Sequence, residues 1–157
     1  MTNSIKAFAP ATVANVGCGY DVLGFALEEY GDELTLTERK DDQLVIEIIQ
    51  GVSGIPLDPA KNVASVTIRA ILEDLKISKG FNIQIKKNIA AGSGLGSSAS
   101  SAAAAAYAVN KILGAPKSRK ELIKFAMEGE RIASTKAHAD NVAASILGCL
   151  LYTSDAA

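Results

Sequence analysis

Alternating apolar and polar residues predict strands in the first third of the chain. The alternation over residues 5–9 predicts a short strand, and Pro10 should end it because proline has no N–H to donate to a strand ladder. Residues 33–39 and 44–49 are rich in β-branched side chains and are separated by a polar tetrapeptide. We therefore expect these two segments to pair as a β-hairpin.

Helical spacing of apolar residues begins in the middle of the chain. Residues 62–75 place their apolar side chains three and four positions apart, which predicts an amphipathic helix that packs on a sheet. Residues 81–86 return to alternation and predict a strand with one buried face. That strand leads into a glycine-rich segment, and the alanine-rich stretch after it predicts a helix over residues 97–113.

The last third of the chain contains further helix signals. Ser118 and Glu121 have the spacing of a capping box for a helix that ends near Arg131. Asp140 or Asn141 is expected to cap a last helix. Because the helices do not strictly alternate with the strands, the order of elements favours an α+β fold over a doubly wound parallel sheet.

The glycine-rich segment predicts an anion-binding loop. Gly92, Gly94 and Gly96 occupy three of five positions between a predicted strand and a predicted helix. Glycine allows positive φ and close approach of a ligand to the backbone, and the free N–H groups of a helix start favour an anion. Ser97 and Ser98 add hydroxyls that can cap the helix, bind a phosphate oxygen or ligate Mg²⁺. A polyphosphate is the ligand that this arrangement favours.

Two better-known phosphate-binding motifs do not fit the loop. A Walker A motif requires a lysine directly after its last glycine, and none follows Gly96. The dinucleotide-binding motif requires its third glycine one residue later than it occurs here. A flexible turn before a helix of small residues remains the alternative interpretation.

Composition and charge narrow the class of protein. The 157 residues suffice for one domain. With 16 basic and 17 acidic residues, the chain has no excess of positive charge that would favour binding to nucleic acid. The N-terminus has no apolar signal segment, and no apolar run is long enough to cross a bilayer. We therefore expect a cytoplasmic protein that binds a small metabolite and neither nucleic acid nor a membrane. Cys18 and Cys149 fit no ligand or redox spacing and are expected to be reduced thiols.

Several polar residues outside the loop carry two interpretations each. Asn15 and Asp21 lie in a second glycine-rich bend that suits an ammonium group or a hydroxyl, or that forms an Asx turn. Asn62 begins a predicted helix, and its role could be limited to starting that helix. His138 is the only histidine, and it is either functional or structural.

Two further groups are candidates for metal and substrate binding. Glu130 could complete a Mg²⁺ site with Ser98, or it is a solvated helix glutamate. Lys136, His138 and the adjacent pair 140–141 form a polar group before an apolar helix. If packed beside a phosphate loop, this group could hold an acceptor hydroxyl.

Three segments, taken in order, resemble the GHMP-type small-molecule kinases and most closely the homoserine kinases among them. Residues 10–24 (PATVANVGCGYDVLG) are similar to the N-terminal motif of these enzymes. Residues 89–100 (IAAGSGLGSSAS) resemble the ATP loop of the family, which has no Walker lysine. Residues 136–142 (KAHADNV) resemble the family's His-x-Asp-Asn segment.

The resemblance implies a fold and a domain organisation. It implies the family's N-terminal α+β domain over residues 1–148, with a mixed or antiparallel sheet, helices on one face and a left-handed βαβ unit. The family continues into a C-terminal domain, whereas residues 149–157 look like a foreign or truncated tail. A homodimer is implied only for the full-length family.

The resemblance also implies an activity. It implies ATP-dependent phosphorylation of the side-chain hydroxyl of L-homoserine, a step of threonine biosynthesis, with Mg²⁺ as the metal. Another alcohol such as mevalonate or a sugar is the alternative substrate. A second alternative is a non-catalytic fragment that binds nucleotide, and we expect low or no turnover from residues 1–157 alone.

Roles for individual residues follow from the same resemblance. The backbone of the loop would hold the ATP phosphates through Ala90, Ala91, Gly92, Ser93, Gly94, Leu95, Gly96, Ser97, Ser98 and Ala99. Asn62 and Val63 would flank the adenine. Ser98 and Glu130 would hold Mg²⁺.

The substrate and its reacting hydroxyl would meet a second set of residues. Asn15, Asp21 and His138 would bind homoserine, with Asp21 taking its amino group. Asn141 would orient the hydroxyl that attacks the γ-phosphate. Asp140 is either a general base or a helix cap.

Overall fold

The computed structural model describes residues 3–19, 22–133 and 139–152. Five strands are present in this part of the chain: β1 (Ser4–Ala14), β2 (Leu23–Glu38), β3 (Leu44–Gln50), β4 (Phe81–Lys86) and β5 (Leu151–Tyr152). Four helices accompany them: α1 (Val63–Leu75), α2 (Ser97–Ile112), α3 (Arg119–Glu130) and α4 (Ala139–Leu147). None of the described helices is both long and apolar enough to cross a bilayer.

The strands form one mixed sheet in the order β1-β2-β4-β3, with β5 paired to β2. The β1–β2 and β2–β4 pairs are antiparallel, and β3 runs parallel to β4. The predicted hairpin of residues 33–39 and 44–49 is therefore wrong, because β4 lies between these segments. The three inward residues of β4 suit a central strand, since Phe81, Ile83 and Ile85 are all buried. β3 exposes Ile48 and lies at the edge.

Strand β1 continues past Pro10, which corrects the prediction that this proline ends it. Its pairing with β2 shifts from Pro10 opposite Gly31 to Thr12 opposite Ala26. A proline is tolerated here because β1 is an edge strand and the irregular pairing requires no N–H from residue 10.

The helices cover one face of the sheet, with α2 at the centre. The alanines of α2 are buried, and their small side chains let the helix lie close to β1, β2 and the other three helices. Asn62 caps α1, and the capping box of Ser118 and Glu121 begins α3, as predicted. Helix α4 begins at Ala139, so neither Asp140 nor Asn141 is its cap.

Strand β5 lies in the segment that is predicted to be a foreign or truncated tail. Leu151 pairs with Gly24 of β2. The domain boundary at residue 148 stays a prediction.

Candidate active site

The predicted anion-binding loop joins β4 to α2, between the sheet and the helix layer. Gly92 and Gly94 both have a φ of 75° and Gly96 has a φ of 62°. A Cβ on Gly92 or Gly94 would meet no atom within 4 Å, so these positions need glycine for their backbone conformation and leave open space beside the loop. A Cβ on Gly96 would overlap the Thr12 hydroxyl. The backbone amides at the start of α2 face this space without a side-chain cap from the described residues.

A pocket of about 500 Å³ lies beside the loop, and this volume suits a nucleotide-sized ligand. Its lining includes most of the residues predicted to bind the nucleotide, namely Asn62, Val63, Ala91, Gly92, Ser93, Gly94, Gly96, Ser97 and Ser98. Ala90, Leu95 and Ala99 do not line it, and the side chain of Ala99 is buried in the core. A larger surface groove of about 730 Å³ beside Lys76 contains none of the predicted site residues.

Asn62 fixes one wall of the pocket. Its Oδ1 accepts a hydrogen bond from the Ala64 N–H at 3.0 Å, and its Nδ2 donates to the Pro56 carbonyl at 2.8 Å. Asn62 thus serves the start of α1, as the simpler interpretation held, and it also lines the pocket. Val63 follows it on the same wall.

The predicted metal pair comes together at the end of α3. The Ser98 hydroxyl donates to Glu130 Oε2 at 3.1 Å. Burial raises the pKa of the Glu130 carboxyl, and Asp140 raises it further, while the Ser98 hydrogen bond and the Lys87 charge lower it. Glu130 is half-buried and accepts the Ser98 hydroxyl, so it is not a fully solvated helix glutamate. One carboxylate and one hydroxyl are hard oxygen donors that suit Mg²⁺, which takes its remaining ligands from phosphates and water.

A buried ion pair beneath the loop was not predicted. The Lys87 ammonium donates to Asp32 Oδ2, to the Ser97 carbonyl at 2.7 Å and to the Ser101 hydroxyl at 3.0 Å. Asp32 Oδ1 accepts the backbone N–H groups of residues 88–89 at 2.9 and 3.2 Å. Burial lowers the pKa of Lys87, and the hydrogen bond and charge of Asp32 oppose that shift. The pair joins the entry of the loop to the first residue of α2.

The alternation of β4 contains the signal that would have found this pair. Residues 81, 83, 85, 87 and 89 are all buried, so Lys87 continues the inward face of the strand. Asp32 has the same parity as the buried Leu34 and Leu36 of β2. A lysine and an aspartate at inward positions of neighbouring strands predict a buried pair.

The start of α4 packs against β1 and the loop. The Thr12 hydroxyl donates to Asn141 Oδ1 at 2.8 Å, and the Thr12 N–H donates to the Leu95 carbonyl at 3.1 Å. Asp140 Oδ1 accepts the Asn141 N–H at 2.8 Å, whereas its buried Oδ2 has no hydrogen-bond partner among the described residues. A Cβ on Gly24 would overlap the Asp140 carbonyl, so this glycine allows β2 to touch α4.

The predicted homoserine-binding residues are only partly described. Asn15 is exposed, directly follows β1 and has a φ of 61°, which suits the Asx-turn interpretation. Asp21, Lys136 and His138 lie outside the described residues. Of the predicted site residues that the structure describes, it brings together the loop, Asn62, Glu130, Asp140 and Asn141.

Residues 62–149 match the family model of the GHMP kinase N-terminal domain. The chain belongs to the GHMP kinase family. Its mixed sheet with helices on one face is the fold of that domain, as predicted. A crystal structure of homoserine kinase from Cytophaga hutchinsonii has a TM-score of 0.87 and 48% sequence identity, covering 93% of this chain and 47% of the other.

Curated GHMP kinase relatives agree with this assignment. The homoserine kinase of Chloroherpeton thalassium is 50% identical over 95% of this chain and 50% of its own length. That of Chlorobium phaeobacteroides is 51% identical over 92% of this chain and 49% of its own length. The chain thus spans about half the length of the curated relatives it matches. A mevalonate kinase structure from Staphylococcus aureus, at 19% identity and a TM-score of 0.66, shares the fold.

Proposed function

We propose that this chain supplies the ATP-binding half of a kinase that phosphorylates the side-chain hydroxyl of L-homoserine. The observation that carries the proposal is the similarity to homoserine kinases, which reaches 48% identity at a TM-score of 0.87 over 93% of the chain. The glycine-rich loop and the pocket beside it provide the physical basis for ATP binding. With this substrate the reaction would be a step of threonine biosynthesis, as the family resemblance implies.

The loop and α2 would bind the triphosphate without a Walker lysine. Gly92 and Gly94 leave open space beside amides that belong to a helix N-terminus, where an anion is favoured. Beneath the loop, the Lys87 ammonium is paired with Asp32 and donates to the Ser97 carbonyl, which fixes the first residue of α2. These groups are preorganised, so they stabilise phosphate charge without rearranging.

The metal and the acceptor hydroxyl would be held by residues from α2, α3 and α4. Ser98 and Glu130 would hold Mg²⁺, which when bound offsets negative charge on the phosphates. Asn141 would orient the acceptor hydroxyl, with Asn15, Asp21 and His138 binding the rest of homoserine. Catalysis of this kind is mainly positioning and charge neutralisation.

Asp140 carries two proposed roles that one substitution separates. As a general base, it would use Oδ2 to take the proton of the acceptor hydroxyl. As a positioning group, it would only hold the Asn141 N–H through Oδ1. Asp140→Asn retains an acceptor for that N–H, so unchanged turnover would exclude the base, and a large fall in kcat with unchanged binding of ATP and homoserine would support it.

A substrate panel tests the proposed activity. The full-length protein and residues 1–157 are each incubated with Mg²⁺ and γ-labelled ATP and with homoserine, mevalonate or galactose as acceptor. We expect label in O-phosphohomoserine from the full-length protein and little turnover from residues 1–157. A preference for mevalonate or galactose would refute the substrate assignment, and ATP binding without transfer to any acceptor would favour a non-catalytic nucleotide-binding protein.

A further inference from the structure

Thr12 lies where β1, the glycine-rich loop and the start of α4 meet. The residue is fully buried and directly follows the irregular pairing of β1 with β2. A β-bulge re-aims the side chains that follow it. In this case the hydroxyl of Thr12 points away from the strand ladder and toward α4 and the loop.

Two hydrogen bonds of Thr12 join the phosphate loop to Asn141. Its N–H donates to the Leu95 carbonyl at 3.1 Å, and its hydroxyl donates to Asn141 Oδ1 at 2.8 Å. The hydroxyl also lies so close to the loop that any Cβ on Gly96 would overlap it. The position of the loop and the position of the Asn141 side chain are therefore set by the same residue.

The bond to Thr12 also decides which end of the Asn141 amide is free to act. A side-chain amide has one acceptor oxygen and one NH₂ donor. Because Oδ1 accepts from Thr12, the Nδ2 group is the end left to donate to another oxygen. Among the described residues, this group donates to Asp140 Oδ1 at a long 3.5 Å. Such an orientation suits a donor to the acceptor hydroxyl or to a phosphate oxygen.

We propose that Thr12 is a positioning residue that holds Asn141 with its NH₂ group toward the reacting oxygens and in fixed register with the phosphate loop. The proposal rests on the proposed function, since that function gives Asn141 its place at the acceptor hydroxyl. It predicts that removal of the Thr12 hydroxyl impairs the transfer step more than it impairs nucleotide binding. The backbone bond to Leu95 is unaffected by such a substitution.

Thr12→Val is the decisive variant, with Thr12→Ser as its conservative partner. In the full-length protein we expect Thr12→Val to lower kcat by about 10- to 100-fold, the range for losing a group that orients a reacting side chain. The Kd for MgATP should change by less than about threefold, because the loop amides remain. Thr12→Ser keeps the hydroxyl and should restore most of the lost kcat.

Ser145→Ala is the matched control. Ser145 is also buried, and its hydroxyl makes a 2.8 Å hydrogen bond from α4 to the Pro10 carbonyl of β1. Its loss weakens the same helix–strand contact without touching Asn141. We expect Ser145→Ala to lower Tm as Thr12→Val does and to leave kcat within about twofold of wild type. An equal loss of kcat in both variants would reduce Thr12 to a packing residue and overturn the proposal.

A spectroscopic readout judges the proposal without any turnover. In ¹⁵N-labelled protein, the side-chain NH₂ resonances of Asn141 should shift in Thr12→Val and return toward wild-type positions in Thr12→Ser. Unshifted resonances in a folded Thr12→Val protein would refute the link. Thr12→Ala replaces Thr12→Val if the valine variant does not fold. Absence of homoserine phosphorylation by wild type would refute the proposed function alone, since the resonances still test the link.

Discussion

The buried pair of Lys87 and Asp32 gives the sharpest test of how the loop is supported. Lys87→Met removes the ammonium and keeps the volume of the side chain. It leaves the Asp32 carboxylate, whose side chain is 1% exposed, with the backbone N–H groups of residues 88–89 and the Ser101 hydroxyl as its remaining partners among the described residues. Breaking a buried pair by removing one partner costs about 3–5 kcal/mol. The remaining hydrogen bonds place our expectation at the lower end, about 3 kcal/mol.

The assay is urea unfolding followed by circular dichroism, together with thermal melting. A loss of about 3 kcal/mol corresponds to a fall in Tm of roughly 6–12 °C for a chain of this size. Lys6→Met is the matched control, because Lys6 is 67% exposed and its partner Glu33 retains Lys86. Exposed pairs contribute about 0–1 kcal/mol, so the control should change little.

A second substitution separates the stranded charge from lost packing. Asp32→Asn in the Lys87→Met background removes the buried charge and keeps an acceptor for the N–H groups of residues 88–89. We expect this double variant to recover part of the stability that Lys87→Met loses. A Lys87→Met protein that loses less than about 1 kcal/mol, like the surface control, would refute the reasoning.

Three further predictions concern the loop, the metal pair and a distant cap. Gly96→Ala should disrupt the loop because the new Cβ overlaps Thr12, whereas Gly92→Ala should cost only the strain of a left-handed backbone, about 1–2 kcal/mol. Equal melting temperatures of the two variants would contradict this prediction. Burial holds the pKa of Glu130 above its ordinary 4.5, so the folded state binds the proton more tightly and loses stability as pH rises above that value. Glu130→Gln should therefore raise Tm relative to wild type at pH 7, and the difference in Tm should vanish near pH 4. A difference in Tm that does not depend on pH would contradict the burial argument. The same variant should weaken ATP binding more with Mg²⁺ than without it. Ser118→Ala should cost about 1 kcal/mol of stability through its cap and leave nucleotide affinity unchanged, and calorimetry measures both.

The parts of the fold that local patterns encode could be predicted from the sequence. The alternation of β4, the N-cap at Asn62 and the glycines before α2 are set by residues close in the chain. The pairing of strands is not local. Nothing between residues 33 and 50 indicates that β4 inserts between β2 and β3. The order of strands in the sheet depends on contacts between segments that are distant in the sequence.

The candidate site also combines features set by residues close in the sequence with features set by distant residues. The proposed metal ligands Ser98 and Glu130 are 32 residues apart. Their oxygen donors suggested the pair and the family resemblance implied it, whereas periodicity could not bring them together. The burial of Lys87 could have been predicted, because Lys87 continues the inward-facing parity of β4 one residue past the strand. The position of Thr12 could not, because a bulge decides where its hydroxyl points, and the bulge follows from pairing across residues 10–12 and 26–31.

The central claim is that the main-chain amides of residues 90–99 bind the triphosphate of ATP. A crystal structure with a non-hydrolysable ATP analogue and Mg²⁺ tests it most directly. We predict phosphate oxygens about 3 Å from backbone nitrogens of the loop and of the first turn of α2, with the adenine beside Asn62 and Val63. A triphosphate bound elsewhere on an intact fold would contradict the account.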